Sequence, residues 1–184
     1  MARRQTATLS GSPGITEEYL ARGEFNTELY GDHIVQLPAG YSLCLGCQSC
    51  ELLCGTVKDG KVGLNRSCIH VQRGGASANI HTVFACQQCT DHPCFEACPL
   101  QGEAMCIDEN GIVYVVDDKC IGCGKCAKAC KFSPSRIVIV GEKKNRKARK
   151  CDLCRDREEG PACIEFCPAL CLGLASDVLA AKEA

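Results

Sequence analysis

Sixteen of the nineteen cysteines in this 184-residue chain are spaced for metal chemistry. They fall into four runs. Cys44, Cys47, Cys50 and Cys54 are separated by two, two and three residues, and Cys120, Cys123, Cys126 and Cys130 repeat those gaps. Cys86, Cys89, Cys94 and Cys98 form a second type of run, closed by Pro99. Cys151, Cys154, Cys163 and Cys167 form a looser one, closed by Pro168. Cys68, Cys106 and Cys171 stand outside the runs. Thiols in such density can serve disulfides, zinc or iron–sulfur clusters.

Disulfides fit poorly. They require an oxidising compartment, and Arg3-Arg4 is followed by no apolar stretch of the kind an export signal needs. An odd number of cysteines also cannot pair completely. The expected location is therefore the cytoplasm. Zinc sites generally use two Cys-x2-Cys pairs, or one with a His pair, across a longer loop. Three cysteines at two-residue gaps, with a fourth three residues on, are instead the run that holds [4Fe–4S] clusters. A tight loop brings three thiolates to three corners of one cube, while the fourth lies on the following helix and serves the neighbouring cube. Cys50 and Cys54, at i and i+4, would stand about 5–6 Å apart on a helical turn. Two cubes sharing that turn are close enough to exchange electrons. Sixteen ligands predict four [4Fe–4S] clusters.

Few large apolar side chains are available to position these runs. Five Phe, four Tyr and no Trp restrict the burial that aromatics normally supply. No apolar run approaches the 18–20 residues of a membrane span, and a formal charge of −1 gives no footprint for nucleic acid. Residues 1–33 read as a polar, Gly-rich extended arm. Ile34 to Leu37 reads as a short strand before the turn residues Pro38 and Gly40, and 55–66 as a surface loop. Cys68 to Val71 and Ile80 to Phe84 alternate like strands, separated by Gly74-Gly75. Asn110-Gly111 marks a hairpin between Ile107 and the strand Ile112 to Val116. A helical turn through Ala127 to Cys130 and a strand from Ile137 to Val140 follow, and 172–184 reads as a C-terminal helix or tail.

Strand, cysteine loop, short helix, strand is half of a bacterial-ferredoxin-like βαββαβ unit. Four runs make two such modules in an α+β fold. The short hairpin between runs two and three favours an inner module, 86–140, with runs one and four closing an outer module from 41–85 and 141–171. An arm, 1–40, and a tail, 172–184, complete the division. In that pairing Cys86, Cys89, Cys94 and Cys130 hold one cluster, and Cys98, Cys120, Cys123 and Cys126 the next. Cys44, Cys47, Cys50 and Cys167 hold a third, and Cys54, Cys151, Cys154 and Cys163 the fourth. Spacing alone leaves open the alternative in which run one joins run two and run three joins run four.

Over roughly 40–172 the chain resembles the four-cluster polyferredoxin subunits of molybdenum and tungsten oxidoreductases, the class serving dimethyl sulfoxide reductase and formate dehydrogenases. The elements that carry the resemblance are Cys44-Leu45-Gly46-Cys47-Gln48-Ser49-Cys50-Glu51, Cys89-Thr90-Asp91-His92-Pro93-Cys94, Asp118-Lys119-Cys120-Ile121-Gly122-Cys123, Lys150-Cys151-Asp152-Leu153-Cys154, and Gly160-Pro161-Ala162-Cys163 with Cys167-Pro168. The resemblance implies pairing of outer with outer and inner with inner runs, and a non-catalytic subunit carrying electrons between a catalytic tungsten- or molybdenum-pterin subunit and a flavin-containing or other redox partner. Within the class the chain most resembles the electron-transfer subunit of bacterial tungsten aldehyde oxidoreductases. Lys131 stands where such runs often have Pro, and Leu170-Cys171 replaces the usual small-then-apolar pair; neither touches a ligand position.

Four clusters at about −2 each would add about −8 to the chain, so cations and amide hydrogen bonds should tune them. The run Lys143 to Lys150 could tune, could meet an acidic partner, or could be a solvated basic loop. Cys68, Cys106 and Cys171 read as buried small hydrophobes. His92 reads as a turn residue or a hydrogen-bond donor to sulfur, and His33, His70 and His81 show no paired metal spacing. The terminal arms are candidate contacts for partner subunits or further copies of the chain. An enzyme reading finds no CxxxCxxC, dinucleotide GxGxxG or P-loop. A zinc scaffold and a free-standing polyferredoxin without a dedicated partner are the competing alternatives.

Overall fold

The computed structural model describes residues 16–38, 43–74, 81–142 and 145–183. The expectations that fall on 1–15, Gly40, Gly75, Ile80, Lys143 and Lys144 lie outside the described residues.

The chain is a small α+β protein built on short antiparallel strand pairs. β1 (Ile34–Gln36) pairs with β8 (Leu172–Leu174), β2 (His70–Gln72) with β3 (Thr82–Phe84), β4 (Met105–Ile107) with β5 (Val113–Val115), and β6 (Ile137–Val140) with β7 (Lys147–Lys150). The β1–β8 pair sets Ile34 opposite Leu174 and Gln36 opposite Leu172, so segments far apart in sequence are joined. The expected hairpin is formed by β4 and β5. Asp108 accepts from the amides of Asn110 (3.0 Å) and Ile112 (2.9 Å), and Gly111 takes φ +77°, a left-handed conformation that glycine adopts without a Cβ clash.

The helices are short: α1 (Glu17–Leu20), α2 (Ser49–Asp59), α3 (Pro93–Glu96), α4 (Lys125–Ala129), α5 (Ala162–Glu165) and α6 (Ala175–Glu183). Four of them, α2 to α5, carry a cysteine of a run on their first turns. The expected loop over 55–66 is instead helical to Asp59. The helix continues because Gly55 leaves room for the chain that folds back over it, a Cβ there lying 3.0 Å from the Gly63 carbonyl oxygen. It stops at Gly60, left-handed at φ +63°.

Three buried clusters replace a single aromatic core. The outer one gathers Ile34, Ile69, Ile164 and Leu172 with Cys50, Cys54, Cys68, Cys151, Cys163, Cys167 and Cys171. The inner one gathers Met105, Val113, Ile137 and Ala148 with Cys94 and Cys126. Sulfur thus supplies much of the interior that aromatics would otherwise fill.

The third cluster corrects the reading of an extended arm. Tyr19 and Phe25 are buried with Val35, Leu37, Ala175 and Val178. Their rings meet edge to face at 5.0 Å, and the Tyr19 hydroxyl donates to the Gln36 carbonyl at 2.8 Å. Thr16 caps α1 by accepting from the Tyr19 amide at 3.2 Å. From Thr16 onward the segment is folded against α6.

The solvated-loop reading of the basic run is likewise corrected at its C-terminal half. Residues 147–150 form β7, and Ala148, Arg149 and Lys150 are buried. Pairing with β6 places Ile137 opposite Lys150 and Ile139 opposite Ala148, so this strand completes the inner core.

Candidate iron–sulfur centres

Each cysteine run opens with the same backbone device. The residue two positions after the first cysteine is left-handed in all four: Gly46 (φ +62°), Gln88 (+45°), Gly122 (+65°) and Leu153 (+57°). A second left-handed residue, Gln48, His92 or Gly124, stands two before the third cysteine of the first three runs. Such alternation turns successive amides inward and makes a concavity for an anion. The amides of Gln88 and Gly122 accordingly point at the sulfurs of Cys86 (3.5 Å) and Cys120 (3.4 Å). Ala148 also donates to Cys120 (3.4 Å), Arg136 to Cys130 (3.3 Å) and Cys68 to Cys54 (3.3 Å).

The sulfurs collect around cavities. Cys86, Cys89, Cys94 and Cys130 line one. Cys98, Cys120, Cys123 and Cys126 line another. Cys44, Cys47, Cys50 and Cys167 line a third, with Cys171 alongside. The remaining four, Cys54, Cys151, Cys154 and Cys163, are all buried. Burial first, then the neighbouring sulfurs of Cys151, Cys54 and Cys154, push the Cys163 thiol up.

This donor set suits a cluster better than a single ion. Tetrahedral zinc at a Zn–S distance of about 2.3 Å needs sulfurs about 3.8 Å apart. Among the described residues no three His, Cys, Asp or Glu side chains converge in that way. Around the Cys86 cavity, moreover, the Arg136 Nε is buried without a protein acceptor, as a site built for an acceptor-rich anion would leave it. Without metal, burial raises several of these thiols: Cys50 is pushed up to about 12, and Cys94 and Cys126 to about 11. Loading must therefore release protons. Cys54 and Cys167 move the opposite way. Hydrogen bonding from Cys68 and from Cys171 brings each down to about 6.

Residues 77–177 match the 4Fe-4S dicluster domain. The chain belongs to the 4Fe-4S dicluster family. Among its relatives, the electron transport protein HydN of Escherichia coli (strain K12) is 34% identical over 152 residues, which cover 71% of this chain and 81% of HydN. The thiosulfate reductase electron transfer subunit PhsB of Salmonella typhi is 34% identical over 134 residues, covering 68% of this chain and 67% of PhsB. As a dicluster protein of the ferredoxin type, the chain is an iron–sulfur protein with an electron-transfer role. Among the described residues no helix is long and apolar enough to cross a membrane.

The spare cysteines divide. Cys68 and Cys171 are buried beside ligand candidates, with 3.5 Å between the sulfurs of Cys171 and Cys167. Cys106 is not buried. It lies on β4 next to Met105, and strand alternation sends Met105 into the core and Cys106 outward opposite Tyr114. His92 supplies the left-handed turn before α3, and His33 is buried with Nδ1 2.8 Å from the Gly31 carbonyl oxygen. Sequence reasoning missed Gln88 and held Lys150 only as one member of the basic run that could tune the clusters; both are buried between candidate centres.

Proposed function

We propose that this chain is a non-catalytic subunit that passes single electrons through four [4Fe–4S] clusters between a catalytic subunit and a second redox partner. The observation that carries the reading is the division of the helical cysteine pairs. Cys94 lines one cavity and Cys98 the next, while Cys130 and Cys126 divide the opposite way. Cys50 and Cys167 likewise line one cavity, and their partners Cys54 and Cys163 lie with Cys151 and Cys154. On this reading each centre takes three cysteines from one run and one from another, in two ferredoxin-like βαββαβ modules with the boundaries given above.

Bound clusters supply one-electron chemistry. The chain's residues hold them by thiolate, aim amides at the sulfurs and bury them from water, which together set how readily each centre is reduced. Cys47 and Cys123 are the two exposed members of the sixteen. Each lies two residues after an exposed apolar residue, Leu45 or Ile121, which supports a partner at both ends. The motif resemblance supports a tungsten- or molybdenum-pterin subunit of the aldehyde oxidoreductase type as electron source and a flavin-containing subunit as acceptor, in the cytoplasm.

Anaerobic reconstitution followed by iron and sulfide analysis tests the cluster number, with about sixteen iron atoms per chain expected. A plateau near eight would reduce the reading to two clusters. Anaerobic purification from the native source, with tungsten, molybdenum and flavin measured in the complex, tests the partners; a complex free of all three would overturn that assignment.

A further inference from the structure

The two modules meet at Gln88 and Lys150. Lys150 is 5% exposed and Gln88 1%. The Lys150 Nζ donates to Gln88 Oε1 (2.6 Å), to the Val113 carbonyl (2.9 Å) and to the Cys151 carbonyl (3.2 Å). Gln88 is held in register because its Oε1 also accepts from the Val113 amide (3.1 Å) while its Nε2 donates to the Cys151 carbonyl (2.9 Å). Three acceptors around one nitrogen call for three N–H groups, so Lys150 is an ammonium. All three acceptors are neutral. A buried ammonium is strongly unfavourable unless an anion faces it.

The four centres differ in what faces them. Lys150, Arg136 and Lys131 line the cavity of Cys86, Cys89, Cys94 and Cys130, and Lys131 is ion-paired with Asp91. No charged side chain lines the cavity of Cys98 and Cys120 or that of Cys44 and Cys167. At the centre of Cys54, Cys151, Cys154 and Cys163 the nearby Lys58 is ion-paired with Asp152, whereas Lys150 has only neutral acceptors. Adding an electron makes a thiolate-bound cluster more negative, and a fixed cation stabilises that state over the oxidised one. We infer that the Lys150 ammonium makes the centre held by Cys86, Cys89, Cys94 and Cys130 the most readily reduced of the four. An electron entering from either end then rests at the junction between the modules, next to the hydrogen bonds that join Gln88 and Lys150 to Cys151.

This inference rests on the four-cluster reading, and the experiment separates the two. The full chain is reconstituted anaerobically, its iron is counted, and its clusters are titrated potentiometrically by electron paramagnetic resonance. Wild-type protein without about sixteen iron atoms defeats the four-cluster reading itself. With wild type loaded, Cys130→Ser should abolish the signal of highest potential. Lys150→Gln should make that same centre about tenfold harder to reduce, equivalent to about 59 mV for one electron, and leave the lowest-potential signals in place. Lys150→Arg keeps the charge and should keep the potential. If Lys150→Gln instead fails to load this centre while Lys150→Arg loads it, the ammonium is the anion's counter-charge and the inference stands. An unchanged highest potential in fully loaded Lys150→Gln, its survival in Cys130→Ser, or equal losses in the Gln and Arg variants would overturn it.

Discussion

The carbonyl oxygen of Arg146 occupies the space where a side chain on residue 122 would begin: a Cβ on Gly122 would lie 2.2 Å from it. A Cβ on Gly46, at the same place in the first run, would first meet the His81 ring, at 2.8 Å. A ring can rotate away, whereas the Arg146 backbone is tied into the turn before β7. Gly122→Ala should therefore be the more damaging change. It carries about 1–2 kcal/mol of left-handed strain in addition to the backbone clash. The expected result is loss of about four of some sixteen iron atoms, and full iron loading of this variant would contradict the placement of β7.

Ligand sharing predicts which substitutions act alike. Cys98→Ser and Cys123→Ser should remove the same paramagnetic signal although they lie in different runs, and Cys94→Ser should remove another. If Cys98→Ser instead matched Cys47→Ser, the runs would be paired in the other order.

Asp59, at the end of α2, joins that helix to β7 through Arg149, whose Nη2 lies 2.7 Å from Asp59 Oδ1. Arg149 also meets Asp117, and Asp59 meets Arg66. Partial burial raises the Asp59 carboxyl, but the two guanidiniums outweigh it and hold the group below its usual range. Asp59→Asn leaves Arg149 buried and half-paired, at a cost of about 1–3 kcal/mol. Anaerobic calorimetry should show Tm lowered by several degrees, on the order of 2–4 °C per kcal/mol for a chain of this size. No shift would mean that this contact does not hold α2 to β7.

Phe25 tests whether the N-terminal segment is part of the fold. Phe25→Ala removes a ring packed on Tyr19 and should cost about 3 kcal/mol, with iron content unchanged. A drop of less than about 2 °C, under 1 kcal/mol on the same scale, would mean the segment does not pack as described.

Cys171 lies 3.5 Å from Cys167, sulfur to sulfur, yet belongs to none of the four proposed ligand sets. Cys171→Ala should retain about sixteen iron atoms, whereas Cys167→Ala should lose a cluster. Equal iron loss from both would make Cys171 a ligand.

The four cysteine runs were legible because ligand spacing is a local property: a Cys-x2-Cys opening and a closing Cys-x3-Cys, present in every run, specify a loop and a helical turn, whatever the remainder of the chain does. The β4–β5 hairpin was legible for the same reason, since Asn110-Gly111 encodes its own turn. Helix α2 was misread past Gly55 because glycines there answer to a packing neighbour, Gly63, that spacing does not reveal. The left-handed residue shared by all four runs was hidden because Gly, Gln, Gly and Leu carry it, and only the surrounding amide geometry makes them equivalent.

The basic run shows the division most clearly. Its composition could establish only that charge was present. Whether Lys150 faced water or a cavity of thiols depended on which strand received β7, and on Gln88, 62 residues away in sequence, being brought beneath it. Charge is written in the sequence residue by residue; its dielectric surroundings and its counter-charge exist only once distant segments have packed.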